Sequence, residues 1–182
     1  ELLPPDCLDG TLWLGELGLD GSIRRVSGGM PVALWAQQQG PSKLVLPVDS
    51  ASETAAVRGL TVYAASSLLQ VVEWLQGGPS LPTVEQRALS PSLLDVGCDL
   101  SDVRGNEQPK RALAIAAAGG HNLLMLGPPG TGKSMLARRL VSILPPMTET
   151  EALASTAVYS AAGLLGGKPL LQQRPFRAPH HE

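Results

Sequence analysis

From the amino end, apolar and polar positions alternate loosely over Thr11 to Leu19, meet the tight-turn pair Asp20-Gly21, and resume over Ser22 to Val26, which predicts a β-hairpin. From Pro31 to Gln39 the apolar spacing turns helical, with proline at the start and Gly40 as the stop. A strand is predicted over Lys43 to Leu46, then a helix opened by the capping-box spacing of Ser50 and Glu53 and closed at Gly59, then a strand over Leu60 to Ala64. Ser67, with Gln70 three residues on, opens a helix over Leu68 to Gln76 that Gly77-Gly78 ends. The resulting order is ββαβαβα. The text then changes to GGPSLPTVEQRALSPSLL, whose glycines and prolines predict a linker with one short helical turn and a domain boundary. Past it, Asn106 is placed to cap a helix running to Ala118, with Gly119-Gly120 as its stop. His121 to Leu126 reads as a short apolar strand, and Gly127 begins a glycine-rich turn. Helices follow over Lys133 to Ile143, ended by Leu144-Pro145-Pro146, and over Glu149 to Ala161, where Thr148 and Glu151 have capping-box spacing.

Composition narrows the class. A chain of 182 residues holds one full domain or two short ones, and 43% hydrophobic with 16% charged residues is a globular composition, which excludes a disordered chain. Three Trp, two Tyr and one Phe are too few for an aromatic platform that stacks single-stranded bases. The longest apolar run, Ala112 to Ala118, falls far below the roughly 18 residues of a membrane span. Cys7 and Cys98 lie far apart without CxxC or His-rich spacing, which favours unpaired thiols in a reducing, cytoplasmic setting. The chain opens on Glu1 with no basic-then-apolar leader, so no secretion signal is expected. Charge is uneven: Glu1 to Gln76 carries 4 basic and 8 acidic residues, Gly77 to Glu182 carries 10 and 8. An anion is therefore expected in the second half.

The chemistry sits in Gly127, Pro128, Pro129, Gly130, Thr131, Gly132, Lys133 and Ser134, which fit G-x-x-x-x-G-K-[ST] at every required position. Glycines there let successive amides point inward at a phosphate on the N-terminus of the next helix. Lys133 is expected to reach the β- and γ-phosphates, and the Ser134 hydroxyl to hold Mg²⁺. A bare helix-capping turn is the competing explanation, and the flanking apolar strand and helix count against it.

The strings DLSDVRGNEQPKRALAIAAAGGHNLLMLGPPGTGKSMLARRL, ILPPMTETEAL and RPFRAPHH resemble the magnesium-chelatase-like AAA+ ATPases of the YifB/ComM type. GPPGTGKS alone indicates AAA+; RPFRAPHH and AAAGGHNLL are more specific. The first part, with GELGLDGSIRRVSGGMPVALWA followed by KLVLP, is similar to the C-terminal portion of the Lon protease fold. The implied fold class is α/β: residues 1–77 a partial Lon-protease-like (ribosomal S5 domain 2-like) domain, 78–98 a Pro-rich linker, 99–182 the N-terminal half of a P-loop AAA+ domain with a parallel sheet.

The resemblance also implies roles. Asp102, Val103, Arg104 and Gly105 match the segment beside the adenine, Asn106 stands where the family usually has Gln, and Met135 follows the loop. Arg174 and Arg177 match a loop facing a ring's central pore, where DNA phosphates pass; a solvated basic loop is the alternative, since Lys168 to Arg177 carries three basic and no acidic residues. Adjacent His180 and His181 lack a third ligand for zinc. Gly28-Gly29 is followed by Met30, Pro31, Val32 and Ala33, so the lysine of a Lon protease site is missing and proteolysis is not expected. No apolar run followed by Asp-Glu comes after Gly132, so the acidic Walker-B pair and the arginine finger are not found, and the catalytic set is incomplete. The chain reads as the middle piece of a longer ATPase, and these 182 residues are expected to bind ATP without turning it over. The whole is expected to be a homo-hexameric, competence-associated DNA motor. The alternatives are a magnesium-chelatase motor subunit and a non-hydrolysing nucleotide-binding module. Arg138 and Arg139 are expected in structural use on the helix after the loop, and Trp13, Trp35 and Trp74 in the core.

Overall fold

The computed structural model describes residues 3, 6–86, 98–166 and 168–179. The chain divides into two compact units, Glu1–Ser90 with Glu149–Leu171, and Pro91–Thr148 with Gln172–Glu182. Residues 149–171 thus pack with the first unit although they follow the phosphate-loop helix in sequence.

In the first unit β1 (Thr11–Trp13), β4 (Lys43–Pro47) and β5 (Thr61–Ala65) form a parallel sheet in the order β1-β4-β5, with Leu44 opposite both Leu12 and Val62. The continuous apolar run Leu44, Val45, Leu46 suits a central strand covered on both faces, and all three are buried. The predicted long hairpin is divided. Leu14 N–H still bonds Val45 O at the sheet, and only β2 (Glu16–Leu17) and β3 (Ile23–Arg24) pair antiparallel around Asp20-Gly21. Gly15 stands at the break: a Cβ there would lie 2.9 Å from Ile23 Cγ2, so a larger residue would have to displace the Ile23 side chain. At the turn, the Ser22 hydroxyl and then its backbone N–H bond the Asp20 carboxylate and hold it below the ordinary carboxylate range.

Helix α1 (Gly29–Gln39) begins two residues before Pro31, which falls in the first turn where its missing N–H removes no intrahelical bond. Met30, Ala33 and Ala36 form its buried face. The predicted helix from Ser50 to Gly59 is replaced by α2 (Val48–Ala51) and a 3₁₀ turn, Ser52–Thr54. Its capping box does not form because both side chains are used elsewhere. The Ser50 hydroxyl accepts from Val26 N–H and donates to Val26 O, while the buried Glu53 carboxylate takes Arg25 Nη2 at 2.9 Å and the Ser160 hydroxyl at 2.8 Å. Ser160 lies on α6 (Glu149–Ala161), accepts from Met30 N–H and offers its carbonyl to Gly28 N–H. Ala152, Thr156 and Ser160, spaced four apart, are the buried face of α6, so small residues seat it on the start of α1.

Helix α3 (Leu68–Leu75) has the predicted cap, with Gln70 N–H donating to the Ser67 hydroxyl. Beyond it, the start of the predicted linker is structured: Ala64 N–H bonds Pro82 O, Val84 N–H bonds Val62 O, and Leu81 is buried. The helical turn expected further along falls on residues 87–97, outside those described. Trp74 lies 4.8 Å from Tyr63 and 6.2 Å from Trp13 by ring centroids, over Val45, Ala65, Val71 and Leu81. Trp35, expected in the core, is half exposed.

The second unit contains a 3₁₀ turn (Leu100–Asp102), α4 (Glu107–Gly119) and α5 (Lys133–Ile143), around Val103, Leu113 and Leu136. The strand predicted over His121 to Leu126 forms no ladder among the described residues; Leu124 and Leu126 remain exposed, and a lone extended segment has no partner for its backbone groups. The parallel sheet therefore belongs to the first unit. No described helix is long and apolar enough to cross a membrane. Cys7 and Cys98 are both free thiols.

Candidate functional site

The loop from Gly127 closes around its own lysine. Gly130 and Gly132 have φ of 83° and 85°, a backbone region that side chains disfavour, and they turn the chain so that α5 starts at Lys133. Lys133 Nζ donates to Gly127 O and Pro128 O, both at 2.7 Å, and to Thr131 Oγ1 at 3.2 Å; the Thr131 hydroxyl in turn donates to Pro128 O at 3.0 Å. No side chain caps α5 and no acidic residue stands in its first turn, so its positive pole faces no carboxylate from its own first turn. Ser134 is exposed on that turn. Beside the loop lies a cavity of about 480 Å³, within the range of small-molecule and cofactor sites.

An uncapped helix start, a lysine ringed by carbonyl oxygens, and an apolar hollow suit a nucleotide: phosphates at the loop, base against apolar side chains. Among the described residues no group of three His, Cys, Asp or Glu is placed to hold a metal.

The cavity wall brings together Gly127, Pro128, Thr131 and Lys133 with Leu123 to Leu126, Leu136, Asn106, Gln108, Pro109 and Ala112. Asp102, Val103, Arg104 and Gly105 are not in this wall. Val103 is buried in the core, its carbonyl taking Lys110 Nζ at 3.2 Å, and Asp102 closes a cap by accepting from Asp99 N–H. Pro129, Gly130, Gly132, Ser134 and Met135 stand outside the wall too. The sequence places Asn106 both at the end of the adenine-side segment and as a helix cap, and it gives no sign of Gln108 as a wall residue. The φ of Asn106 is 55° and its side chain caps nothing; only its carbonyl bonds Lys110 N–H. A polar residue just ahead of a helix whose Gly119-Gly120 stop leads into the loop was the available signal.

Asp99 opens the 3₁₀ turn. Its carboxylate accepts first the Ser101 backbone N–H, at 2.7 Å, and the Ser101 hydroxyl adds to this, holding it below the ordinary aspartate range. A depressed folded value means the cap contributes above the unfolded aspartate's range and is lost as pH falls through the folded value. An NMR titration is expected to find an Asp99 midpoint below that of an ordinary aspartate; an ordinary midpoint would remove the cap. Arg139 Nε bonds Asp99 O at 3.1 Å, tying this turn to α5, while Arg138 is exposed. Arg174 Nε bonds Pro145 O at 2.9 Å, and Arg177 is exposed, so the two basic residues do not act alike. His180 and His181 lie outside the described residues.

The two units and their loop define an α/β chain of P-loop-like class. Residues 99–182 match the family described as magnesium chelatase, subunit ChlI. The competence protein ComM of Haemophilus influenzae is 42% identical over 172 residues, covering 93% of this chain and 34% of that protein. The uncharacterized protein YifB of Escherichia coli is 41% identical over 182 residues, 100% of this chain and 35% of its own length. An uncharacterized protein of Mycobacterium tuberculosis is 42% identical over 179 residues, 98% of this chain and 35% of its own. The chain thus spans about a third of the length of these curated relatives, and it is similar to magnesium-chelatase-like proteins of the YifB/ComM type.

Proposed function

We propose that this chain is the nucleotide-binding part of an AAA+ ATPase, taking ATP with Mg²⁺ at Gly127 to Ser134. The supporting observation is the Lys133 ammonium ringed by loop oxygens at the uncapped start of α5, beside a cavity of nucleotide size. Lys133 would hold the β- and γ-phosphates, Ser134 would complete the Mg²⁺ shell, and Asn106 with Gln108 would border the base. Val103, packed with Leu113 and Leu136, would back the wall through Leu136. Mg-ATP is expected to stabilise the chain by mass action, by about 2.7 kcal/mol at a hundredfold excess over Kd, and so to raise its thermal midpoint. An unmoved midpoint at saturating Mg-ATP would contradict the reading.

For the full-length protein we propose a ring-forming, cytoplasmic DNA motor. The Haemophilus relative is a competence protein, which favours this over porphyrin metallation, for which the ChlI family description speaks. Stimulation of ATPase activity by forked DNA, and not by porphyrin-binding partner subunits, separates them. Because Arg174 is bonded to Pro145 O, Arg177 is the cleaner probe of DNA phosphate contact. Arg177→Ala in the full-length protein is expected to flatten the salt dependence of DNA binding by about one unit. An unchanged slope would return the segment to a solvated loop.

A further inference from the structure

An ammonium group has three hydrogens to donate. Here all three are engaged by the loop itself: Gly127 O and Pro128 O at 2.7 Å, and Thr131 Oγ1 at 3.2 Å. The three acceptors are unequal. The two carbonyls are close, whereas the hydroxyl is longer and is itself committed as a donor to Pro128 O at 3.0 Å. That donation turns a lone pair of the Thr131 oxygen toward the ammonium and leaves the hydroxyl no second hydrogen to offer.

We propose that Thr131 is the positioning residue for Lys133, its hydroxyl standing as the exchangeable acceptor whose place a phosphoryl oxygen takes. A phosphate oxygen is anionic and a better acceptor than a neutral hydroxyl. Ligand entry therefore exchanges the weakest of three bonds, while the carbonyls of Gly127 and Pro128 keep the ammonium aimed. Until that exchange, Thr131 prevents the lysine from swinging into solvent, and its own bond to Pro128 O holds the loop at the matching width. The inference rests on the nucleotide reading and names which side chain prepares its cation.

The test compares the unaltered chain with Thr131→Val, which keeps the shape and removes the hydroxyl, and with Thr131→Ser, which restores it. Calorimetric titrations use Mg-ATP and, as a control, AMP, which carries no phosphate beyond the α position. Because that bond is made only before ligand entry, its loss in Thr131→Val raises the free state alone and is expected to tighten Mg-ATP severalfold. AMP binding should stay unchanged, and Thr131→Ser should fall within about twofold of the unaltered chain. Weaker Mg-ATP binding by Thr131→Val would show that the hydroxyl supports the loop in its bound shape and overturn the proposal, as would Thr131→Val binding Mg-ATP like the unaltered chain. Failure of the unaltered chain to bind Mg-ATP is a separate result, which overturns the nucleotide reading and this inference with it.

Discussion

Lys133→Ala is expected to abolish Mg-ATP binding while leaving the far-UV circular dichroism spectrum as it is. The side chain bonds the loop, at Gly127 O, Pro128 O and Thr131 Oγ1, and the helix it opens is held by Leu136 and Leu140 further along. Hydrogen bonds to charged groups contribute about 1.5–3 kcal/mol each, so losing contacts to two phosphates weakens binding by a factor on the order of a hundred or more. Alanine is a strong helix former, so α5 itself should persist. Calorimetry showing the same Kd for both chains would contradict the assignment. A lost helical signal would mean that Lys133 serves the fold instead.

The second large effect is in the first unit. Arg25→Ala is expected to lower unfolding free energy by about 2–4 kcal/mol, because it strips the ion partner from a buried carboxylate. The Glu53 side chain is 2% exposed and Arg25 44%. Breaking a fully buried pair costs about 3–5 kcal/mol; the lower figure reflects an arginine that reaches water and a Ser160 hydroxyl that still donates to Glu53. The contrasting pair is Arg58 with Glu149, at 3.7 Å and with both side chains about half exposed or more. Arg58→Ala should change stability by no more than about 0.5 kcal/mol. Urea titrations of the two variants giving equal shifts would show that the Glu53 cluster has no special weight.

Much of this arrangement was legible in the chain, and the misreadings share a cause. Helix α5 begins and ends where the glycines and the Pro145-Pro146 pair place it, and α6 spans the predicted residues, because both signals are local. Glu53 shows where local reading fails. Three residues after a serine it looks like half of a capping box, yet its partners are Arg25 and Ser160, the latter 107 positions away. Nothing in spacing reveals so distant a bond. Likewise Gly15 reads as one more residue of an alternating strand, whereas it lies between the parallel sheet and the hairpin with the Ile23 side chain packed where its Cβ would be. Leu124 and Leu126 have the apolar pattern of a strand but no ladder partner among the described residues. Pattern specifies a segment's preference, and pairing needs a second segment.

At the candidate site the chemistry was more legible than the wall. The glycine and lysine spacing identified the loop, since backbone turns and one cation are what a phosphate needs. Asn106 and Gln108 border the cavity because α4 brings them there, and Val103 is turned into the core because Leu113 and Leu136 bury it. Those placements depend on how α4 and α5 pack, which residue type alone does not encode.

The account's central claim is that Gly127 to Ser134 is a nucleotide phosphate site. The most direct measurement follows backbone amide signals of the isotopically labelled chain as Mg-ATP is added. The account predicts saturable shifts at Gly130 to Met135, where the turn meets α5, together with Asn106 and Gln108 across the cavity. Saturating Mg-ATP that leaves those signals in place would contradict it.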